Sequence, residues 1–174
     1  MKTIRVALIG PESSGKTTLC KALSEHFGQP WVPEYAREYL SNLTSPYTQT
    51  DVEHILKEQL NREKQTGKNA PLVFCDTEPI NIKVWCEHVF GSCAGWINDE
   101  IYNHPYDLYL LTRPDLPWEY DPLRENPEKG QFFFDWYLRI LQSISADYVI
   151  IEGDSKKRLQ TAVDAVQKII SKRK

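Results

Sequence analysis

The sequence predicts an α/β chain with a five-stranded parallel sheet and helices on both faces. Three observations predict it. Short apolar runs alternate with segments of helical period. The run Leu72-Val73-Phe74-Cys75 is continuously apolar, as a strand covered on both faces must be. Polar or charged residues fall just after each predicted strand, where such sheets hold their ligands. A length of 174 residues suits one domain, residues 1–174, with a sizeable core.

The elements follow in order. Ile4 to Ile9 reads as the first strand, and a helix opens with Thr18-Leu19-Cys20-Lys21-Ala22-Leu23 and stops at Gly28. Trp31-Val32 starts a short second strand. Glu34 to Leu43 is predicted helical, with Tyr35, Tyr39 and Leu43 on one face. Thr50-Asp51-Val52-Glu53 is a predicted capping box for a helix that runs to about Thr66 and ends at Gly67. The third strand ends at Asp76, and Ile80 to Val89 is predicted helical, with Asp76 or Thr77 as its cap. Asp107 to Thr112 is the fourth strand. Residues 113–130 carry Pro, Asp and Arg without a period and read as a long loop, a candidate lid. Phe132 to Ser145 is an aromatic-rich helix, and Tyr148 to Ile151 the fifth strand. Leu159, Val163, Val166 and Ile170 mark a last amphipathic helix.

Between the first strand and its helix stands Gly10-Pro11-Glu12-Ser13-Ser14-Gly15-Lys16-Thr17, which matches the phosphate-loop pattern G-x-x-x-x-G-K-[ST] at every fixed position. The glycines let the backbone turn several N–H groups onto one anion. Lys16 can reach β- and γ-phosphates, and the Thr17 hydroxyl can ligate Mg²⁺. Gly10, Glu12, Ser13, Ser14, Gly15, Lys16, Thr17 and Thr18 are therefore candidate ATP-binding residues, and ATP and Mg²⁺ the expected cofactors. With the strand order, the motif predicts a three-layer phosphate-loop NTPase sandwich.

Three further clusters carry chemistry. Asp76 can hold Mg²⁺ through water or accept a proton from a substrate hydroxyl. Glu34 and Glu38 share a helical face at the mouth of the second strand, with Arg37 between them, and Trp31 and Tyr35 can stack on a flat heterocycle; Tyr39 reads as core. In the lid, Arg113 and Arg124 can neutralise charge on a transferred phosphoryl group. Asp121 can bind sugar hydroxyls or merely pair with Arg124, and Trp118 belongs to the same acceptor set. Gly153, after the fifth strand, allows close backbone approach beside a nucleotide base, or is an ordinary turn capped at Asp154 or Ser155.

Composition removes other classes. A net charge of −3 gives no argument for a nucleic-acid partner, and the basic end Ser171-Lys172-Arg173-Lys174 reads as a solvated helix terminus. No apolar run approaches membrane-spanning length and no leader peptide is seen, so no membrane partner and a cytoplasmic location are expected. Cys20, Cys75, Cys86 and Cys93 form no C-x-x-C pair, and His26, His54, His88 and His104 lack metal-ligand spacing. Nothing in the sequence fixes an oligomeric state.

On these residues the chain resembles the ribosylnicotinamide kinase domain of the NadR family. The resemblance covers nearly the whole chain. It rests on G-x-E-S-S-G-K-T at Gly10 to Thr17, E-Y-A-R-E at Glu34 to Glu38, Asp76-Thr77, Tyr106-Asp107, and W-x-x-D-x-x-R at Trp118 to Arg124. It implies a nucleoside-kinase-like fold and phosphorylation of nicotinamide riboside by ATP. It also implies a phosphate grip on Lys16, Mg²⁺ on Thr17, base or metal duty on Asp76, and ribose contacts on Asp76 or Asp121. Some family members place a tryptophan directly before E-Y-x-R-E. Pro33 holds that position here, so either Trp31 substitutes from two residues earlier or the base pocket differs. The DNA-binding and adenylyltransferase segments of trifunctional relatives have no counterpart in this sequence, and neither activity is expected. A kinase for another nucleoside, a nucleotide or a vitamin alcohol stays open, as does a regulatory ATPase or nucleotide switch.

Overall fold

The structure, a computed structural model, describes residues 2–173; Met1 and Lys174, and with Lys174 the last residue of the basic end, lie outside the described residues. Five strands form one parallel sheet in the order β2-β3-β1-β4-β5: β1 Ile4–Ile9, β2 Trp31–Val32, β3 Leu72–Asp76, β4 Leu108–Thr112 and β5 Tyr148–Ile151. The helices are α1 Lys16–Phe27, α2 Tyr35–Ser41, α3 Gln49–Gly67, α4 Pro79–Phe90, α5 Gly95–Asn103, α6 Gly130–Ser143 and α7 Ser155–Lys172.

The pleat divides the core. Val6 and Leu8 of β1 face one way, with Phe74, Leu108 and Leu110, and pack against Leu19 and Leu23 of α1 and Val163 and Val166 of α7. Ala7 and Ile9 face the other way, with Val73, Tyr109 and Leu111, against α3, α4, α5 and α6. Leu8 lies opposite Asp76 on one side and Leu110 on the other, so the loop after β1 emerges at the centre of the sheet between two strand ends.

Local chemistry moves several boundaries. The capping box sits two residues earlier than predicted: the Thr48 hydroxyl accepts from Asp51 N–H, and the Asp51 carboxylate accepts from Thr48 N–H. The Tyr39 hydroxyl also donates to Asp51, at 2.7 Å, so Tyr39 pins α2 to α3 rather than merely filling the core. These hydroxyl contacts hold Asp51 down to about 2. The cap of α4 is neither Asp76 nor Thr77 but Glu78, whose carboxylate accepts from Ile80 and Asn81 N–H with Pro79 at the first helical position. Asp154 caps α7. Helix α5 was not predicted, because Gly95, Asn98 and Asp99 mask a face of which only Ile97 and Ile101 are buried. Gly130 belongs to α6 and so ends the irregular loop at residue 129. At the C-terminal end, Arg173 pairs with Asp107. No helix among the described residues is long and apolar enough to cross a membrane.

Glu63 of α3 is buried among Arg5, Cys75 and Tyr106 and accepts from the Tyr106 hydroxyl at 2.7 Å; burial pushes its carboxyl from 4.5 up to about 7. A carboxyl raised on folding keeps its proton longer in the folded state, so its contribution to stability is greatest in acid and declines as pH rises. Glu63 should therefore lower stability between about pH 4.5 and pH 7. Glu63→Gln, which keeps an acceptor for Tyr106, should flatten that part of the denaturant-midpoint-against-pH curve. A slope equal to wild type would contradict the assignment.

Candidate active site

The phosphate loop is folded by three constraints. Gly10 has φ +144°, and a Cβ there would stand 2.4 Å from Thr112 Oγ1, so only glycine lets the loop cross β4 this closely. Ser14 Oγ donates to Pro11 O and shares a 2.6 Å hydrogen bond with Thr112 Oγ1, which pins the loop to β4. Gly15 precedes α1 in the left-handed region, φ +79°, with no side-chain cap, which leaves the first N–H groups of α1 free for an anion. Lys16 Nζ donates to the carbonyls of Gly10 and Pro11 at 2.9 and 2.7 Å. Burial lowers the ammonium's pKa, against the pull of Glu34, Asp76 and Glu12.

Beside the loop, β3 ends in an acidic corner. Thr17 Oγ1 donates to Asp76 Oδ2 at 2.5 Å, and Asp76 Oδ1 is buried without a hydrogen-bond partner. Burial, and then the Glu34 carboxylate, push Asp76 up to about 6. Thr77 follows at φ +78° and donates to Glu34 Oε1 at 3.1 Å. A free carboxylate oxygen beside a hydroxyl is an oxygen donor set that suits Mg²⁺, which takes few protein ligands when phosphates supply the rest. Among the described residues no group of three or more His, Cys, Asp or Glu is placed to hold a metal by itself.

Residues 113–129 fold over this corner and are fastened to the phosphate loop by its own side chains. The Glu12 carboxylate accepts from the backbone N–H of Glu125 and Asn126, the latter at 3.0 Å. Ser13 Oγ accepts from Glu119 N–H at 2.9 Å and from Arg124 at 3.3 Å. Arg37 of α2 pairs with Asp121 at 2.8 Å. These contacts hold the segment against the phosphate loop, in the position a closed lid would take.

A cavity of about 760 Å³ runs from the donor end, at Ser155, Arg158 and Leu159, past the whole phosphate loop with Thr18 and Glu34, to a pocket walled by Tyr47, Trp85, His88 and Tyr137. Glu12, Ser13, Ser14, Lys16, Thr17, Arg37 and Arg124 all line it, and Asp76 stands behind Thr17. Besides Asp76, six predicted residues do not line it. Trp31 packs with the α1/α7 core on the opposite face of the sheet, with Lys21 Nζ 5.7 Å from its ring, so it is not the base-stacking residue. Tyr35 turns towards α3, between His54 and the Arg62 guanidinium. Arg113 lies over Phe134 and 2.8 Å from Glu152, held on the α6 side away from the phosphates. Trp118 stacks within the lid against Arg124, and Asp121 is tied to Arg37 and Leu123 N–H. Gly153 instead anchors its loop, donating to Asp115 at 2.7 Å and accepting from Arg158 at 2.7 Å.

The cavity's aromatic end, Tyr47, Trp85, His88 and Tyr137, is not among the residues the sequence predicts for the site. Asn81, Trp85 and His88 share one face of α4 at spacings of four and three, a stripe that the sequence offers as a signal. Tyr47 and Arg158 carried no local signal; their positions come from the tertiary fold.

A family profile described as an AAA domain (AAA_28) matches residues 5–158. The chain belongs to this family. It is also similar, at 25% identity over 97% of its length, to the trifunctional NAD biosynthesis/regulator protein NadR of Escherichia coli K12, of which it covers 43%. Among solved structures, a NadR protein in complex with NR superposes with a TM-score of 0.80 at 23% identity, over 97% of this chain and 51% of that one. A deoxyadenosine kinase from M. mycoides with bound products gives 0.66 at 13% identity, over 95% of this chain and all of that one. The structural likenesses establish the fold, that of phosphate-loop kinases. The chain spans less than half the length of the NadR relative it matches.

The lid contacts give a direct test. Glu12→Ala removes the acceptor for two lid amides, a loss of about 1 kcal/mol. Limited proteolysis within residues 113–129 should then quicken roughly 3- to 10-fold, with Glu12→Gln between the two. An unchanged cleavage rate would show that the lid closes without this contact.

Proposed function

We propose that the chain is an ATP-dependent kinase that phosphorylates the 5′-hydroxyl of nicotinamide riboside, giving nicotinamide mononucleotide. One observation carries the reading. A single cavity joins the phosphate loop, through the Asp76–Glu34 corner, to an aromatic-walled pocket under a closed lid. That is the layout for moving a phosphoryl group from a triphosphate to a small aromatic-based acceptor. Similarity over 97% of the chain to a NadR structure in complex with NR supports the choice of acceptor.

Charge pairing favours a nucleoside over a nucleotide. A phosphate on the acceptor needs a free arginine. The arginines lining the cavity are Arg37, Arg124 and Arg158, and Arg37, beside the acceptor pocket, is taken by Asp121.

In this reading the first amides of α1 and Lys16 hold the β- and γ-phosphates. Thr17, with Asp76 through water, would hold Mg²⁺, which would spread the phosphate charge. The acceptor's aromatic base packs against the edge-to-face pair of Trp85 and Tyr47, whose ring centroids are 5.2 Å apart. Its 5′-oxygen attacks the γ-phosphorus. The new O–P bond forms as the bond to the β-phosphate oxygen breaks, the hydroxyl proton passes to Asp76, and ADP leaves. Burial and the Glu34 carboxylate, which raise Asp76 to about 6, make it a stronger proton acceptor than an exposed carboxylate. Arg124 faces the transferred group from the lid and neutralises its charge. The closed lid keeps water from competing as nucleophile.

Purified protein with ATP and Mg²⁺ should release ADP faster with nicotinamide riboside than with other nucleosides. No stimulation by nicotinamide riboside overturns the acceptor, and none by any nucleoside overturns the class. Lys16→Ala should lower kcat by about 10²- to 10³-fold. Asp76→Asn should abolish transfer while binding of a non-hydrolysable ATP analogue persists; retained transfer would remove Asp76 from the chemistry.

A further inference from the structure

Gln59 is a polar side chain among apolar ones. It lies in the middle of α3, 1% exposed, on the face that also carries Val52, Ile55 and Leu56. A buried carboxamide is unfavourable unless its groups are paired, and this one is paired at both ends. Oε1 accepts from Tyr35 N–H at 2.9 Å, and Nε2 donates to Asp76 O at 3.3 Å.

Both partners adjoin the acidic corner. Tyr35 is the first residue of α2, and Glu34 is that helix's N-cap. An N-cap carboxylate ordinarily accepts from its own helix. Glu34 makes no such bond; Gln59 satisfies the Tyr35 amide from another helix instead. The Glu34 carboxylate is thereby left to line the cavity and accept from Thr77 Oγ1. At its other end Gln59 holds the carbonyl of Asp76 itself, where β3 leaves the sheet for the left-handed turn at Thr77. Gln59, Tyr35, Glu34, Thr77 and Asp76 thus close a ring of covalent and hydrogen bonds around the acceptor side.

We propose that Gln59 is a positioning residue for phosphoryl transfer, setting the separation of Glu34 and Asp76 at the acceptor hydroxyl without touching either substrate. This rests on the kinase reading above. The donor side has its own contacts, those of Ser14, Thr112 and Arg158, and meets the ring at one hydrogen bond, Thr17 Oγ1 to Asp76 Oδ2.

Gln59→Met keeps the length and apolar stem and removes both hydrogen bonds. Displacement of a reacting group by about 1 Å lowers rate by up to about 100-fold. The variant should therefore lose about 10- to 100-fold in kcat and gain in acceptor KM, with KM for ATP within about twofold of wild type. Gln59→Glu keeps the acceptor for Tyr35 and should retain more activity than Gln59→Met. Thr77→Val opens the same ring at the Glu34 bond and should show the same split, so an unfolded Gln59→Met leaves the idea open to refutation. Wild-type kinetics in either Gln59→Met or Thr77→Val overturns the proposal. So does a parallel rise of both KM values, the mark of a general loss of structure. Amide exchange at Tyr35 gives a readout independent of the acceptor. It should quicken in Gln59→Met while the amide of Leu19 in α1 stays protected, and unchanged exchange at Tyr35 also overturns the proposal. Failure of nicotinamide riboside with the wild-type protein bears on the acceptor alone, because the split is then measured with whichever nucleoside stimulates ADP release.

Discussion

Arg158 places a full positive charge beneath the phosphate loop with 3% of its surface exposed, and the donor side is organised around it. Its planar fork has five donors, and burial requires them to be used. Nη1 donates to Ser14 O at 2.8 Å, Nε to Gly153 O at 2.7 Å and Nη2 to Arg113 O at 2.9 Å, with the Asp115 carboxylate closing the ion pair. Those carbonyls belong to the segments leaving β1, β5 and β4. One side chain therefore fixes three strand exits relative to one another. A lysine there has one point charge and lacks the fork needed to reach all three carbonyls. The phosphate loop's shape is local, but its place in the cavity depends on this bond set from the far end of the chain.

Glu12 shows how the loop's chemistry is divided. A carboxylate in a loop built for phosphates is repulsive towards its ligand. The repulsion is reduced because Glu12 is turned to the lid, where the amides of Glu125 and Asn126 donate to it, while Ser13 receives Glu119 N–H. The backbone N–H groups face the phosphates and the side chains face the lid. The Glu-Ser-Ser triplet thereby joins two functions: Ser14 fastens the loop to β4, and Glu12 and Ser13 fasten residues 119–126 to the loop.

The donor half was legible in the sequence because it is contiguous. Gly10 to Thr17 has its geometry written in glycines, and the apolar run before Asp76 places that carboxylate at a strand end whatever the rest of the chain does. The acceptor half is assembled from residues far apart. Tyr47 precedes the Thr48 cap, Trp85 and Asn81 sit on α4, and Tyr137 on α6. Trp31 and Arg113 were misplaced for one reason: position at a strand end tells which edge of the sheet a residue occupies, and the pleat decides which face it leaves from. Trp31 leaves β2 on the α1/α7 face, and Arg113 leaves β4 towards Phe134. The shift of the capping box from Thr50 to Thr48 has the same character. Both patterns fit locally, and the Tyr39 hydroxyl on Asp51, a contact between helices, marks the one used.

Backbone strain falls where the site needs it. Among the described residues, three other than glycine have positive φ: Ser13 at 55°, Thr77 at 78° and Ser145 at 52°. Such conformations cost about 1–3 kcal/mol each and persist where surrounding contacts over-determine them. Ser145 turns the chain after α6, away from the cavity. Ser13 and Thr77 are in the site, and in both the hydroxyl has a partner across it, the lid amide of Glu119 for one and the Glu34 carboxylate for the other. Glycine would relieve the backbone at either position and remove that hydroxyl. At Thr77 the strain is greatest, because a β-branched residue is the least tolerant of this region. The preceding residue is the carboxylate expected to receive the acceptor's proton. The turn that strains Thr77 also brings its hydroxyl to Glu34, so the price of the conformation is set against a fixed spacing between the two carboxylates of the acidic corner.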